Sequence, residues 1–208
     1  MQKKLMLAAA AVMMLAACNG AKETRVLAQF GENAPERVKV TVGNKVDTTV
    51  VVKDGKFEID VPVDLTTLSR VRVGRSVYSF ISDGSKITLD PKDGKAYSNQ
   101  KNGVHARYVE YNQWTKEFKD EYARKVEQIG DDQDAVEACF KEMLPQYNDY
   151  LKETIKANKD NVLGAIALSQ YGSDDPKEVM SLINSLSPKI QQHPEVASLK
   201  KAYEAKNK

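Results

Sequence analysis

The sequence predicts an α+β fold: an N-terminal antiparallel β-sandwich of about seven short, hairpin-connected strands, followed by an all-helical C-terminal segment. Two observations carry this. Apolar residues recur at every second position as far as Leu89, and at every third or fourth position from Val104 onward. Those periods belong to half-buried strands and to amphipathic helices respectively. The polar stretch between them holds Pro91, Gly94 and Gly103, the composition of a connector. The expected boundaries are 24–90 for the sandwich, 91–103 for the linker and 104–208 for the helical domain.

In the first half, Val38, Val40 and Val42 alternate with Arg37, Lys39 and Thr41, and Phe57, Ile59 and Val61 alternate with Lys56, Glu58 and Asp60. Such alternation places one face of a strand on a core and the other in water. Gly43-Asn44, Asp54-Gly55, Gly74-Arg75 and Asp83-Gly84 fall at hairpin spacing. Asp-Gly suits a type I′ turn, which needs positive φ at both central residues. The run Val50-Val51-Val52 breaks the alternation and predicts a strand buried on both faces, or a bulge.

In the second half, Val104, Tyr108, Tyr111, Phe118, Tyr122, Val126 and Ile129, with Thr115 in the central gap, mark one face of a long helix ending at Gly130. Asp131-Asp132 suits the start of the next helix, which continues through Cys139, Phe140, Met143, Tyr147 and Leu151. Pro145 is expected to kink or split it. A third helix is read over 161–171. Asp175, Pro176 and Glu178 give the fourth a cap, a first-turn proline and a capping-box partner. Ser187-Pro188 begins a short turn, and a last helix runs from Pro194 through Val196, Leu199 and Tyr203. The tail Lys206-Asn207-Lys208 is expected to fray.

Ahead of all this, Lys3 and Lys4 precede an apolar run from Leu5 to Ala17. That run is too short for a spanning helix, which needs about 20 residues, and has the layout of a secretory signal over 1–17. Leu15-Ala16-Ala17-Cys18 resembles the lipobox of bacterial lipoproteins, whose cysteine is acylated and becomes the first residue. The resemblance implies Cys18 as a lipid attachment site and residues 18–23 as a tether, reaching roughly 20 Å at full extension. Lys22-Glu23 is similar to the charged signal that directs Bacteroidetes-type lipoproteins to the cell surface. The expected location is the cell envelope, on the outer membrane, facing the periplasm or the surface.

The full chain carries 31 Lys+Arg against 29 Asp+Glu; taking away the two leader lysines leaves 29 of each. A neutral, mixed-sign chain predicts no electrostatic footprint for nucleic acid. With Cys18 acylated, Cys139 would be alone, and no Cys-x-x-Cys occurs. It falls in step with Val136, Met143 and Tyr147, which predicts a small buried hydrophobe. His105 and His193 are the only imidazoles; both are expected as surface or capping residues rather than metal ligands or general bases. No nucleophile elbow, phosphate-cradling loop or dinucleotide fingerprint is present. The expectation is no catalytic residue, no metal and no cofactor.

One feature suggests a surface for a partner or ligand. Trp114 lies at the edge of the long helix's apolar stripe, beside Tyr111 and Phe118. Edge aromatics stack on sugar faces or anchor partners, and they equally pack on a neighbouring helix or sheet.

Asp47-Thr48-Thr49 followed by Asp54-Gly55-Lys56-Phe57 resembles a domain family of unknown function in Bacteroidetes-type lipoproteins, which usually precedes a thioredoxin-like domain. Phe80 through Leu89 is similar to a later hairpin of that family. Asn161 through Ala165, Leu186-Ser187-Pro188 and Pro194-Glu195-Val196 resemble its helical segment. The chain ends at Lys208, about where the resemblance places the redox domain, so the expectation is the accessory part alone. The sequence thus points to a non-enzymatic, lipid-anchored envelope module that binds or positions a partner, such as a thiol–disulfide oxidoreductase. A glycan- or ligand-binding lipoprotein using the Tyr111/Trp114/Phe118 edge is the alternative, and an enzyme with an unrecognised carboxylate site ranks last.

Overall fold

The structure, a computed structural model, describes residues 22–31, 34–43 and 45–206. The signal over 1–17, Cys18 with most of its tether, Asn44 of the first turn and the last two tail residues lie outside the described residues.

The fold is mixed α/β, with eight strands in two sheets of four and then six helices among the described residues. The strands are β1 (Glu23–Gln29), β2 (Arg37–Val42), β3 (Val46–Val51), β4 (Lys56–Pro62), β5 (Asp64–Val73), β6 (Ser76–Ser82), β7 (Lys86–Asp90) and β8 (Lys95–Ser98). One sheet has the order β4-β1-β7-β8, the other β3-β2-β5-β6. Both contribute to one apolar cluster: Val26, Phe57 and Ile87 come from the first sheet, and Val38, Val40, Val71 and Phe80 from the second. The period-two pattern therefore reports burial correctly.

Strand pairing departs from the expectation in three places. β1 pairs parallel with β7, Val26 opposite Ile87, so the first sheet is mixed rather than antiparallel. β8 falls inside the stretch read as a linker and pairs antiparallel with β7. Only two of the four turn signals make hairpins within one sheet, β2–β3 and β5–β6. Asp54 and Gly55 do adopt positive φ of 49° and 70°, as a type I′ turn requires. The chain closes just one bridge, Lys53 to Lys56, before β3 and β4 enter different sheets. Asp83-Gly84 likewise carries the chain from β6 in one sheet to β7 in the other.

Val50-Val51-Val52 is also corrected. β3 is an edge strand with no buried residue, and Val51 is 56% exposed.

The helices are α1 (Val104–Ile129), α2 (Gln133–Ala157), α3 (Val162–Gln170), α4 (Pro176–Ser185), α5 (Pro188–Gln191) and α6 (Pro194–Lys206). Their ends follow local chemistry. Gly130 closes α1 at φ 75°. Asp132 and Asp175 accept the amides of Ala135 and Lys177 at 3.1 and 2.9 Å. Pro145 does not split α2, which runs unbroken through it; Met143 and Tyr147 on either side are held by packing. Helix α3 is buried almost all round, as befits a central helix. Around it Leu151, Ile155, Ile183, Leu186 and Ile190 form a second core, which also takes Ile81 from β6. That residue ties the helices to the sheets.

The α1–α2 hairpin outruns this core. Beyond Thr115 on α1 and before Met143 on α2 no residue is buried. The far end is a two-helix arm extending roughly 18 Å past Phe118. Exposed i,i+4 pairs Lys116–Asp120, Glu121–Lys125 and Glu137–Lys141 decorate it, and solvent screening keeps the contribution of each small.

Candidate functional site

At the junction of sheets and helices, α1 begins with no side-chain cap of its own. Asp83, from the β6–β7 corner, accepts the His105 amide at 2.9 Å instead. A Cβ on Gly103 would lie 2.7 Å from that carboxylate, so the approach requires glycine. The His105 ring is completely buried, which corrects the surface assignment. Its Nδ1 accepts the Ile81 amide at 3.3 Å, and its Nε2 donates to the Ala96 carbonyl at 3.0 Å. Burial pushes its pKa below the usual imidazole range. With both nitrogens engaged on backbone, His105 is a neutral peg joining β6, β8 and α1. His193 is half-buried beside α6.

Tyr111, Trp114 and Phe118 are brought together, between helices. Trp114 stacks on Tyr150 with ring centroids 3.6 Å apart, and on Phe118 at 5.4 Å. Phe118 in turn stacks on Tyr147 at 4.9 Å. Tyr111 is 1% exposed, and its desolvated phenol is pushed well above the usual range. The row is the seam of the hairpin, and Tyr147 fastens it to α3 by donating to Gln170 at 2.6 Å.

The seam opens at its outer end. Phe118, Tyr122, Phe140, Met143, Leu144 and Tyr147 line an apolar notch of about 150 Å³, and Phe140 is 48% exposed. Cys139 stands on the same arm, half-buried. It is not the core residue its periodicity predicts, because the arm has no core to enter.

Two adjoining recesses escaped the sequence reading. A cleft of about 290 Å³ lies between β6, β8 and α1, lined by Val77, Ser79, Lys95, Tyr108, Asn112, Gln113 and Lys116 among others. A second, of about 300 Å³, lies on the outer face of the second sheet and is lined by Lys39, Thr41, Arg70, Arg72 and Val77. Val77 borders both. Arg70 and Arg72 are two apart on β5 and share a face, a signal present in the sequence. Only the pairing of Lys39 with Arg72 across β2 and β5 assembles the group.

Glu178 is not a capping-box partner. It pairs with Lys152 at 2.7 Å and accepts from Ser173 at 2.8 Å; Lys152 above all, with Tyr171 and Ser173, pulls its pKa down to about 2. Ser173 Oγ accepts the Asp175 amide, so the cluster orders the α3–α4 loop. Among the described residues no three His, Cys, Asp or Glu side chains gather to hold a metal ion, and no helix is long and apolar enough to cross a membrane.

Compared with known proteins, the chain matches no family model, no curated protein and no solved structure.

Proposed function

We propose that this chain is a non-enzymatic binding module of a bacterial cell envelope, anchored in the membrane through acylated Cys18. Its two sheets stack as a sandwich over their common core, and the helical half carries the α1–α2 arm toward an envelope protein. The observation that supports this most is the notch at the arm. Phe140 is left exposed there beside the half-buried Phe118, Tyr122, Leu144 and Tyr147, on two helices with no third element to cover them; an apolar face left open in this way suits a partner. The family resemblance makes a thioredoxin-like thiol–disulfide oxidoreductase the expected partner.

The test is a photo-crosslinker at Lys119, beside the notch, in cells expressing the full chain, with mass spectrometry of the adducts. Enrichment of a thioredoxin-like envelope protein, lost in Phe140→Ser, supports the reading. No adduct above background overturns the adapter role. In the same cells Cys18→Ala should move the protein out of the membrane fraction; retention there would overturn the lipid anchor.

A further inference from the structure

The outer face of the second sheet carries a concentration of positive charge that the overall charge balance does not require. Lys39 and Arg72 are direct cross-strand neighbours, and Arg70 lies two residues away on the same face. Like charges placed opposite one another destabilise a sheet. Lys39 has an acid partner, Asp47, at 3.1 Å. Arg70 and Arg72 make no ion pair among the described residues. Two exposed arginines thus line the recess without an acid partner among the described residues.

The recess adjoins the cleft against α1 at Val77, which lines both; the cleft is lined further by Ser79, Lys95, Tyr108, Asn112, Gln113 and Lys116. At about 4.8 Å per strand spacing, β2 to β6 covers roughly 10 Å before the helix is reached. One end therefore offers fork-shaped cationic donors, which match carboxylate and sulfate oxygens. The other offers the hydroxyls of Ser79 and Tyr108 and the amides of Asn112 and Gln113, which match sugar hydroxyls, beside the ammonium groups of Lys95 and Lys116, which match further acidic groups. The wall formed by α1 gives the surface a depth that a flat bilayer would not fill.

We propose that this groove binds an acidic oligosaccharide, with its carboxylate or sulfate groups on Arg70 and Arg72 and its hydroxyl-bearing rings running past Val77 toward Asn112 and Gln113. The site is separate from the arm and stands without it.

The test is calorimetric titration of the full-length protein in detergent with oligogalacturonate and with a heparin-derived oligosaccharide. Methyl-esterified oligogalacturonate serves as the neutral control, and phosphatidylglycerol vesicles as the lipid control. Binding of either acidic probe that weakens with added salt, exceeds that of the ester, and falls roughly tenfold in Arg70→Gln and in Arg72→Gln supports the site. Arg72→Gln should at the same time leave the melting temperature unchanged or raised, since it removes the like-charge neighbour of Lys39; a purely structural arginine would lower it. Equal binding of ester and acid, no binding of either acidic probe at low salt, or arginine-dependent binding of the vesicles alone each overturns the proposal.

Discussion

The two ends of the α1–α2 hairpin carry similar residues to different effect. Near the sheets, His105, Tyr111, Leu151 and Ile155 are each 1% exposed or less. At the far end Tyr122, Phe140 and Cys139 occupy equivalent stripe positions, yet none is buried. An amphipathic stripe states which side of a helix would be buried, and says nothing of whether a third element arrives to bury it. Here α3 and β6 serve the near end, and beyond Thr115 each helix has only the other.

The sharpest way to break this contrast is a matched pair of truncations. Leu151→Ala should cost about 4 kcal/mol of unfolding free energy, read from denaturant melts; a loss under about 1 kcal/mol would mean the near end is no better packed than the arm. Next comes Gly164→Ala. A Cβ there would lie 2.3 Å from the Asn158 carbonyl oxygen, so α3 must move off α2. A cost of about 2–3 kcal/mol is expected, and an unchanged melt would show that the contact is loose.

His105→Gln should cost about 1–2 kcal/mol at neutral pH, from two backbone partners imperfectly replaced. It also has a pH signature. Because the folded pKa lies below the unfolded value of 6.5, the unfolded chain binds more protons just under that value. Stability of the native protein should therefore hold above about pH 6.5 and fall as the pH drops below it. The variant should lack that fall over its upper part, before carboxylates titrate; a native-like slope would remove His105 as its source. Smallest of all, Phe140→Ala should change stability by no more than about 0.5 kcal/mol. A larger loss would mean the notch is closed in the free protein.

Much of the architecture was legible from short-range chemistry. Gly130, Asp132 and Asp175 end or start helices by contacts within four residues, so their reading needed no knowledge of the fold. The alternation in β1, β2 and β4 reported the buried face for the same reason. The turns were half legible: Asp54-Gly55 has the backbone its sequence demands, but a turn does not choose which sheet the next strand joins. Of the site, the mutual stacking of Trp114 and Phe118 follows from their spacing on one helix, and Tyr150 enters only when α2 folds back.

Local chemistry alone was enough for the change from strands to helices at Val104, the helix ends at Gly130, Asp132 and Asp175, and the inward faces of β2 and β4. These depend on neighbours a few residues apart, whose geometry the backbone sets. Tertiary structure alone decided the parallel β1–β7 pair, the exposure of Val51, the incomplete burial of Cys139, the burial of His105 and the meeting of Lys39 with Arg70 and Arg72. Each depends on which distant segment lies alongside, and that is settled by the burial of the shared cores as a whole rather than by any local preference.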